Sequence, residues 1–161
     1  MREDIAQVAR ALHDTKMTVA VAESCTAGGL AVALTALPGA SQFFLGGVIA
    51  YDNAVKIAHL GVNDAQLERH GAVSAEVAET MAVACRHLLR ADLAVSITGI
   101  AGPDGGTESK PVGLVFVGLS SVRETSSRRF QFAGTRDEIR SAAVHAALRF
   151  LHSEIETSVQ I

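Results

Sequence analysis

The chain has 161 residues, 48% hydrophobic and 19% charged, with a formal net charge of −3 from 14 basic and 17 acidic side chains. That length suits one domain with a proper hydrophobic core, and the composition excludes a disordered or solvating chain. The mild acidic balance, the lack of a long basic run and an aromatic content of only 4% argue against nucleic acid or an anionic membrane as the main partner.

The N-terminal "MREDIAQVAR" is too charged for a signal peptide, and no stretch reaches the roughly 18 apolar residues of a membrane span. Ile5, Val8, Ala9 and Leu12 recur at helical spacing, which predicts a first amphipathic helix over 3–14. "MTVAVA" (17–22) is short, apolar and β-branched, as a strand covered on both faces should be. A second helix is expected over 27–36, stopping before Pro38-Gly39. "FFLGGVIAY" (43–51) reads as a strand in which Gly46-Gly47 marks a bulge or a close backbone approach.

Asp52 or Asn53 is positioned to cap a short helix carrying Val55, Lys56 and Ile57, and another short helix is expected over 64–70. Ser74 caps a long one, with Val77, Met81, Ala84 and Leu88 read as one face. "LAVSITG" (93–99) is a buried strand that leads into the loop "IAGPDGGTESKP". Two more strands follow at 112–120 and 126–134, the second alternating and nearer an edge. Thr135 and Glu138 fit a capping box for a last helix over 136–155. Helices and strands thus alternate before two strands run consecutively, which implies a single three-layer α/β/α domain over 1–161 with a mixed, mostly parallel sheet.

Open α/β sheets collect ligands at the carboxyl ends of strands. Three polar clusters fall there: "ESCTAGG", "YDNAVK" and "TGIAGPDGG". One such loop is ordinarily a capped turn; three converging loops point to a site. There is no Walker loop, no dinucleotide fingerprint, no Gly-x-Ser-x-Gly elbow and no zincin histidine pair. Cys25 and Cys85 show neither metal nor redox spacing, so no metal and no cofactor is expected, in a reduced cytoplasmic protein. A Cys-x5-Arg phosphatase loop from Cys25 fails because Ala31 takes the arginine position.

What remains is Ser24 before a helix whose N–H groups would stabilise an oxyanion. A serine nucleophile needs a base, and Lys56 between Val55 and Ile57 becomes one if burial lowers its pKa. An exposed lysine is the plain alternative. Cys25 is a second possible nucleophile, although small buried cysteines are usually packing residues. Asp104 reads as a turn residue rather than a ligand.

The stretches "AESCTAGG", "GGVIAYDNAVKIAHLGV", "HGAVS", "SITGIAGPDGG", "KPVGLVFVGL" and "GTRDEIR" resemble, in order and spacing over about 16–150, the CinA C-terminal-domain family of nicotinamide-nucleotide amidases. The resemblance implies hydrolysis of the carboxamide of nicotinamide mononucleotide to nicotinate mononucleotide and ammonia. It makes Ser24 the nucleophile, Lys56 the general base and Tyr51 a helper that orients the dyad or the substrate. Thr26, Gly28, Thr98, Gly99 and Arg140 become substrate-binding positions, with Arg140 able to clamp a phosphate bidentately.

Some relatives carry this domain behind a larger one; this chain resembles the stand-alone form, and a homo-oligomer is expected. One departure is Ala27, where many members have glycine; an alanine there suits a helix start. A competing reading is a non-catalytic nucleotide-binding or regulatory domain, which would need neither Ser24 nor Lys56.

Overall fold

Apolar spacing in the first helix, α1 (Arg2–Thr15), brings Ile5, Val8 and Leu12 onto one buried face. This computed structural model describes residues 2–159. The chain continues through β1 (Val19–Glu23), α2 (Gly29–Leu34), a 3-10 turn (Ala40–Gln42), β2 (Phe44–Ile49), α3 (Asn53–His59), α4 (Asp64–His70) and α5 (Ala75–Leu89). It ends with β3 (Leu93–Gly99), β4 (Leu114–Ser120), β5 (Thr125–Gln131) and α6 (Arg136–Val159).

The five strands lie in the order β2-β1-β3-β4-β5. β1 pairs parallel with β2 and β3, whereas β4 pairs antiparallel with β3 and β5. Only β4 therefore runs against the rest, and the sheet is mixed and mostly parallel as expected. β5 lies at an edge, as its alternating sequence suggests. No described helix is long and apolar enough to cross a membrane.

Side-chain alternation along the strands builds two unequal faces. Val19, Val21, Val95, Ile97, Val115 and Val117 pack with α1, α2 and α6. The opposite face presents Ala20, Ala22 and Ala94 to Val77, Met81 and Cys85 of α5. Small residues are required there because α5 lies close to the sheet. The Ser96 hydroxyl donates to the Ala78 carbonyl of α5, and a Cβ on Gly118 would come within 2.5 Å of that same oxygen.

Caps fall where the sequence puts them. The Asp52 carboxylate accepts from the Ala54 N–H, the Ser74 hydroxyl from the Val77 N–H, and the Glu138 carboxylate from the Thr135 N–H. At β2 the register jumps from Val19↔Phe44 to Ala20↔Gly46, so Leu45 is the extra residue of a bulge. Gly47 has no room for a side chain, since a Cβ would sit 2.4 Å from the Val21 carbonyl oxygen.

Two expectations need correction. Ala27 is not a helix start: it has φ +50°, Gly28 has φ +97°, and α2 begins only at Gly29. Two successive left-handed residues turn the chain before the helix can begin. On α5, Leu88 is exposed, and the buried residues are Val77, Ala78, Met81, Ala82 and Cys85. The helix is rotated so that the stripe one position round from the expected one meets the sheet.

Candidate active site

Because β1, β2 and β3 are parallel, their carboxyl ends emerge on one edge of the sheet, and the loops that follow them converge. They enclose a cavity of about 270 Å³. Ser24 and Cys25 line it from the first loop, Tyr51, Asn53 and Lys56 from the second, and Thr98 to Gly102 with Asp104 and Gly105 from the third. Ala72 and Val73, between α4 and α5, and Arg136, at the start of α6, complete the wall.

Glu23 and Ser24 divide the two tasks that their adjacency poses. The Glu23 side chain is fully buried, and its carboxylate accepts from the N–H groups of Gly28, Leu30 and Ala31 at 2.8–3.1 Å. It caps α2 from the end of the preceding strand. The Gly29 N–H donates to the Thr26 carbonyl, so the donors at the start of α2 are engaged and are not open to a substrate oxyanion. By contrast, the N–H groups of Cys25 and Thr26 meet no backbone carbonyl among the described residues. Ser24 extends the β1–β3 ladder by donating its N–H to the Ile97 carbonyl at 2.9 Å, and no protein group hydrogen-bonds its hydroxyl among the described residues.

Lys56 is only 2% exposed, although it lies on a short helix whose other residues are largely exposed. Its Nζ donates to the carbonyls of Ala50 (2.9 Å) and Tyr51 (3.2 Å). Among the described residues, no carboxylate pairs with it at salt-bridge distance. Burial therefore pulls the amine below the ordinary lysine range, with Asp52 and Cys25 pulling weakly the other way. The Cys25 thiol is pushed up to about 11, chiefly by burial, so it is a neutral thiol near neutral pH.

Among the remaining expected positions, Thr98 and Gly99 reach the cavity, and the Thr98 hydroxyl donates to the Ala72 carbonyl at 2.7 Å. Tyr51 lies at the mouth, 56% exposed. Thr26, Gly28 and Arg140 do not line the cavity. Arg140 instead stands behind the Ser24 loop, donating to the Thr26 carbonyl at 3.0 Å and approaching Asp137 at 3.8 Å. The Thr26 hydroxyl and the Arg140 Nε are both buried there without a partner among the described residues.

Residue-by-residue reading of the sequence passes over Arg136. Its Nη2 donates to the Tyr51 hydroxyl and its Nη1 to the Gly102 carbonyl, each at 2.7 Å, which ties the second loop to the third. The signal lay in "GTRDEIR", where Arg136 and Arg140 are one helical turn apart, but spacing does not say which of them faces the cavity. Lys110 was passed over too. It donates to the carbonyls of His70 and Val73, and so holds the third loop against the α4–α5 wall. Among the described residues, no group of three or more His, Cys, Asp or Glu is placed to hold a metal ion.

Comparison with known proteins agrees with this architecture. The family described as CinA C-terminal domain matches residues 2–155. A CinA-like protein of Thermosynechococcus vestitus is 52% identical over 151 residues, covering 92% of this chain and 36% of its own length. A CinA-like protein of Nostoc punctiforme is 50% identical over 153 residues, with 93% and 37% covered. The chain thus spans about a third of the length of the curated relatives it matches.

Two crystal structures align over nearly the whole fold. The competence/damage inducible protein CihA from Agrobacterium tumefaciens has a TM-score of 0.92 at 36% identity, covering 94% of this chain and 93% of that one. A CinA superfamily protein from Klebsiella pneumoniae has a TM-score of 0.93 at 32% identity, covering 97% and 98%. By its sequence and its fold, the chain belongs to the CinA C-terminal domain family.

Proposed function

We propose that the protein is an amidohydrolase that converts nicotinamide mononucleotide to nicotinate mononucleotide and ammonia, with Ser24 as nucleophile and Lys56 as general base. The observation that carries this reading is Lys56, a buried lysine with no paired carboxylate, lining the same cavity as a serine whose hydroxyl has no protein partner. Binding a nucleotide without chemistry would need neither feature.

A neutral Lys56 donates its two N–H bonds to the Ala50 and Tyr51 carbonyls and keeps its lone pair free to take a proton. In the first half-reaction the Ser24 oxygen attacks the carboxamide carbon as its proton passes to Lys56 Nζ. The N–H groups of Cys25 and Thr26, which no backbone carbonyl occupies among the described residues, are the donors assigned to the oxyanion. Lys56 then protonates the departing nitrogen, the C–N bond breaks, and ammonia leaves an ester on Ser24. A water molecule attacks that ester with one proton going to Lys56; that proton returns to the Ser24 oxygen as the acid product departs, and the acid gives its remaining proton to solvent to become the carboxylate. Thr98 and Gly99 are the binding positions that line the cavity. Arg140 and Thr26 serve substrate binding by holding the Ser24 loop, within which Gly28 provides the turn.

Cys25 carries a protonated thiol near neutral pH and would need a base as Ser24 does, so alanine substitution at each position decides between them. Ammonia release from nicotinamide mononucleotide, measured beside thermal unfolding, tests the assignment. Ser24→Ala is expected to lose on the order of 10³-fold or more in kcat with little change in Tm, while Cys25→Ala retains most of the activity. Activity of Ser24→Ala within tenfold of the unsubstituted protein would remove Ser24 as nucleophile.

A further inference from the structure

We propose that Arg136 receives the phosphate monoester of the substrate and, through the same guanidinium, fixes the orientation of Tyr51. The proposal rests on the amidase reading for its substrate class. Three charged side chains line the cavity: Lys56, Asp104 and Arg136. Lys56 has to be neutral to act as a base, which leaves Arg136 as the standing positive charge. Arg136 is the first residue of α6, so the positive end of a 24-residue helix reinforces it. Its bonds to Gly102 and Tyr51 use two of the five guanidinium N–H groups and leave three for a ligand.

The facing loop suits an anion as well. Gly102 and Gly105 adopt left-handed backbone conformations, and among the described residues the N–H groups of Gly105 and Gly106 meet no backbone carbonyl. Asp104 opposes an anion from the same loop, but its carboxylate is exposed and screened by solvent. Arg140 is differently placed, its guanidinium held by the Thr26 carbonyl and Asp137 outside the cavity lining.

The second consequence is directional. A guanidinium cannot accept a hydrogen bond, so the Tyr51 oxygen accepts from Arg136 and its own proton is left to donate toward the cavity. Arg136 thereby binds the phosphate and sets the direction of the tyrosine hydroxyl beside it.

The test compares kcat/KM for nicotinamide mononucleotide and for nicotinamide riboside, which lacks the phosphate. The unsubstituted protein is expected to prefer the nucleotide. Arg136→Ala should reduce that preference roughly 10- to 100-fold, mainly through KM for the nucleotide, and Arg136→Lys should restore part of it. Tyr51→Phe lowers both rates and reads the tyrosine's own share, and it should keep most of the preference. Arg140→Ala acts on the Ser24 loop and should likewise lower both rates and keep the preference.

An unchanged preference in Arg136→Ala, or a collapse in Arg140→Ala instead, would overturn the proposal. If the unsubstituted protein released no ammonia from either compound, the amidase reading would fail, and calorimetric binding of the two compounds to the same variants would then judge Arg136. Loss of nucleotide-over-riboside binding in Arg136→Ala would uphold it, while equal binding of the two compounds by the unsubstituted protein would refute it. Arg136→Gln, which keeps a hydrogen-bond donor without the charge, replaces the alanine variant if that one does not fold.

Discussion

Lys56 holds a conflict between stability and chemistry within one side chain. Its amine is buried without a counter-ion, which disfavours the charged form and lowers its pKa in the folded protein. The unfolded chain has no such bias and keeps the proton up to about 10.4. Between the lowered folded value and that unfolded one, the unfolded state binds more protons, so this residue's contribution to stability rises with pH. Lys56→Met removes the titrating group. The stability of the Met variant relative to the unsubstituted protein should therefore be greatest near neutral pH and shrink steadily toward pH 10. Denaturant unfolding at a series of pH values measures this. A difference that stays flat across that range would mean the amine is not desolvated in the folded state.

At the scale of an element, the turn before α2 decides whether the nucleophile is presented at all. Glu23 gathers three N–H groups of that turn, while Ala27 and Gly28 both adopt positive φ. Gly28 takes that conformation freely. Ala27 does not, because its Cβ crowds the following carbonyl at a cost of about 1–2 kcal/mol, part of which a glycine would return in unfolded-state entropy. Ala27→Gly is accordingly expected to stabilise the fold by about 0.5–1 kcal/mol, visible as a Tm about 2 °C higher. Activity should persist, since Ala27 does not line the cavity. A clear loss of stability would show that the alanine methyl contributes packing that outweighs its backbone strain. The family resemblance made this departure visible, because it implies glycine at this position. What the sequence concealed was the physical meaning, since a residue next to a helix and a residue in its first turn have the same neighbours in a string of letters.

Over the whole molecule, legibility followed the range of the interaction. Short apolar runs such as "LAVSITG" and local caps such as Asp52, Ser74 and Thr135 depend on neighbours within a few residues, and they fell where they were read. The converging loops were legible because parallel strands bring their carboxyl ends together. Leu88 was misplaced because helical spacing defines stripes but not which one meets the sheet, and on α5 that choice rests on the small residues of β3 and β4. Arg136 was passed over because its partner Tyr51 is 85 residues away, a meeting that only the closed fold brings about. Ser24 and Lys56 are likewise joined only by the fold, in the cavity they share. Whether Lys56 works there as a neutral base is read most directly from kcat/KM for nicotinamide mononucleotide against pH, run beside Lys56→Arg. The unsubstituted protein should gain rate with rising pH through one ionisation whose midpoint lies well below 10.4. Lys56→Arg, which cannot deprotonate in this range, should lose on the order of 10²-fold or more at every pH. A Lys56→Arg protein with near-normal rate and an unchanged pH profile would contradict the account and leave Lys56 as a fixed charge.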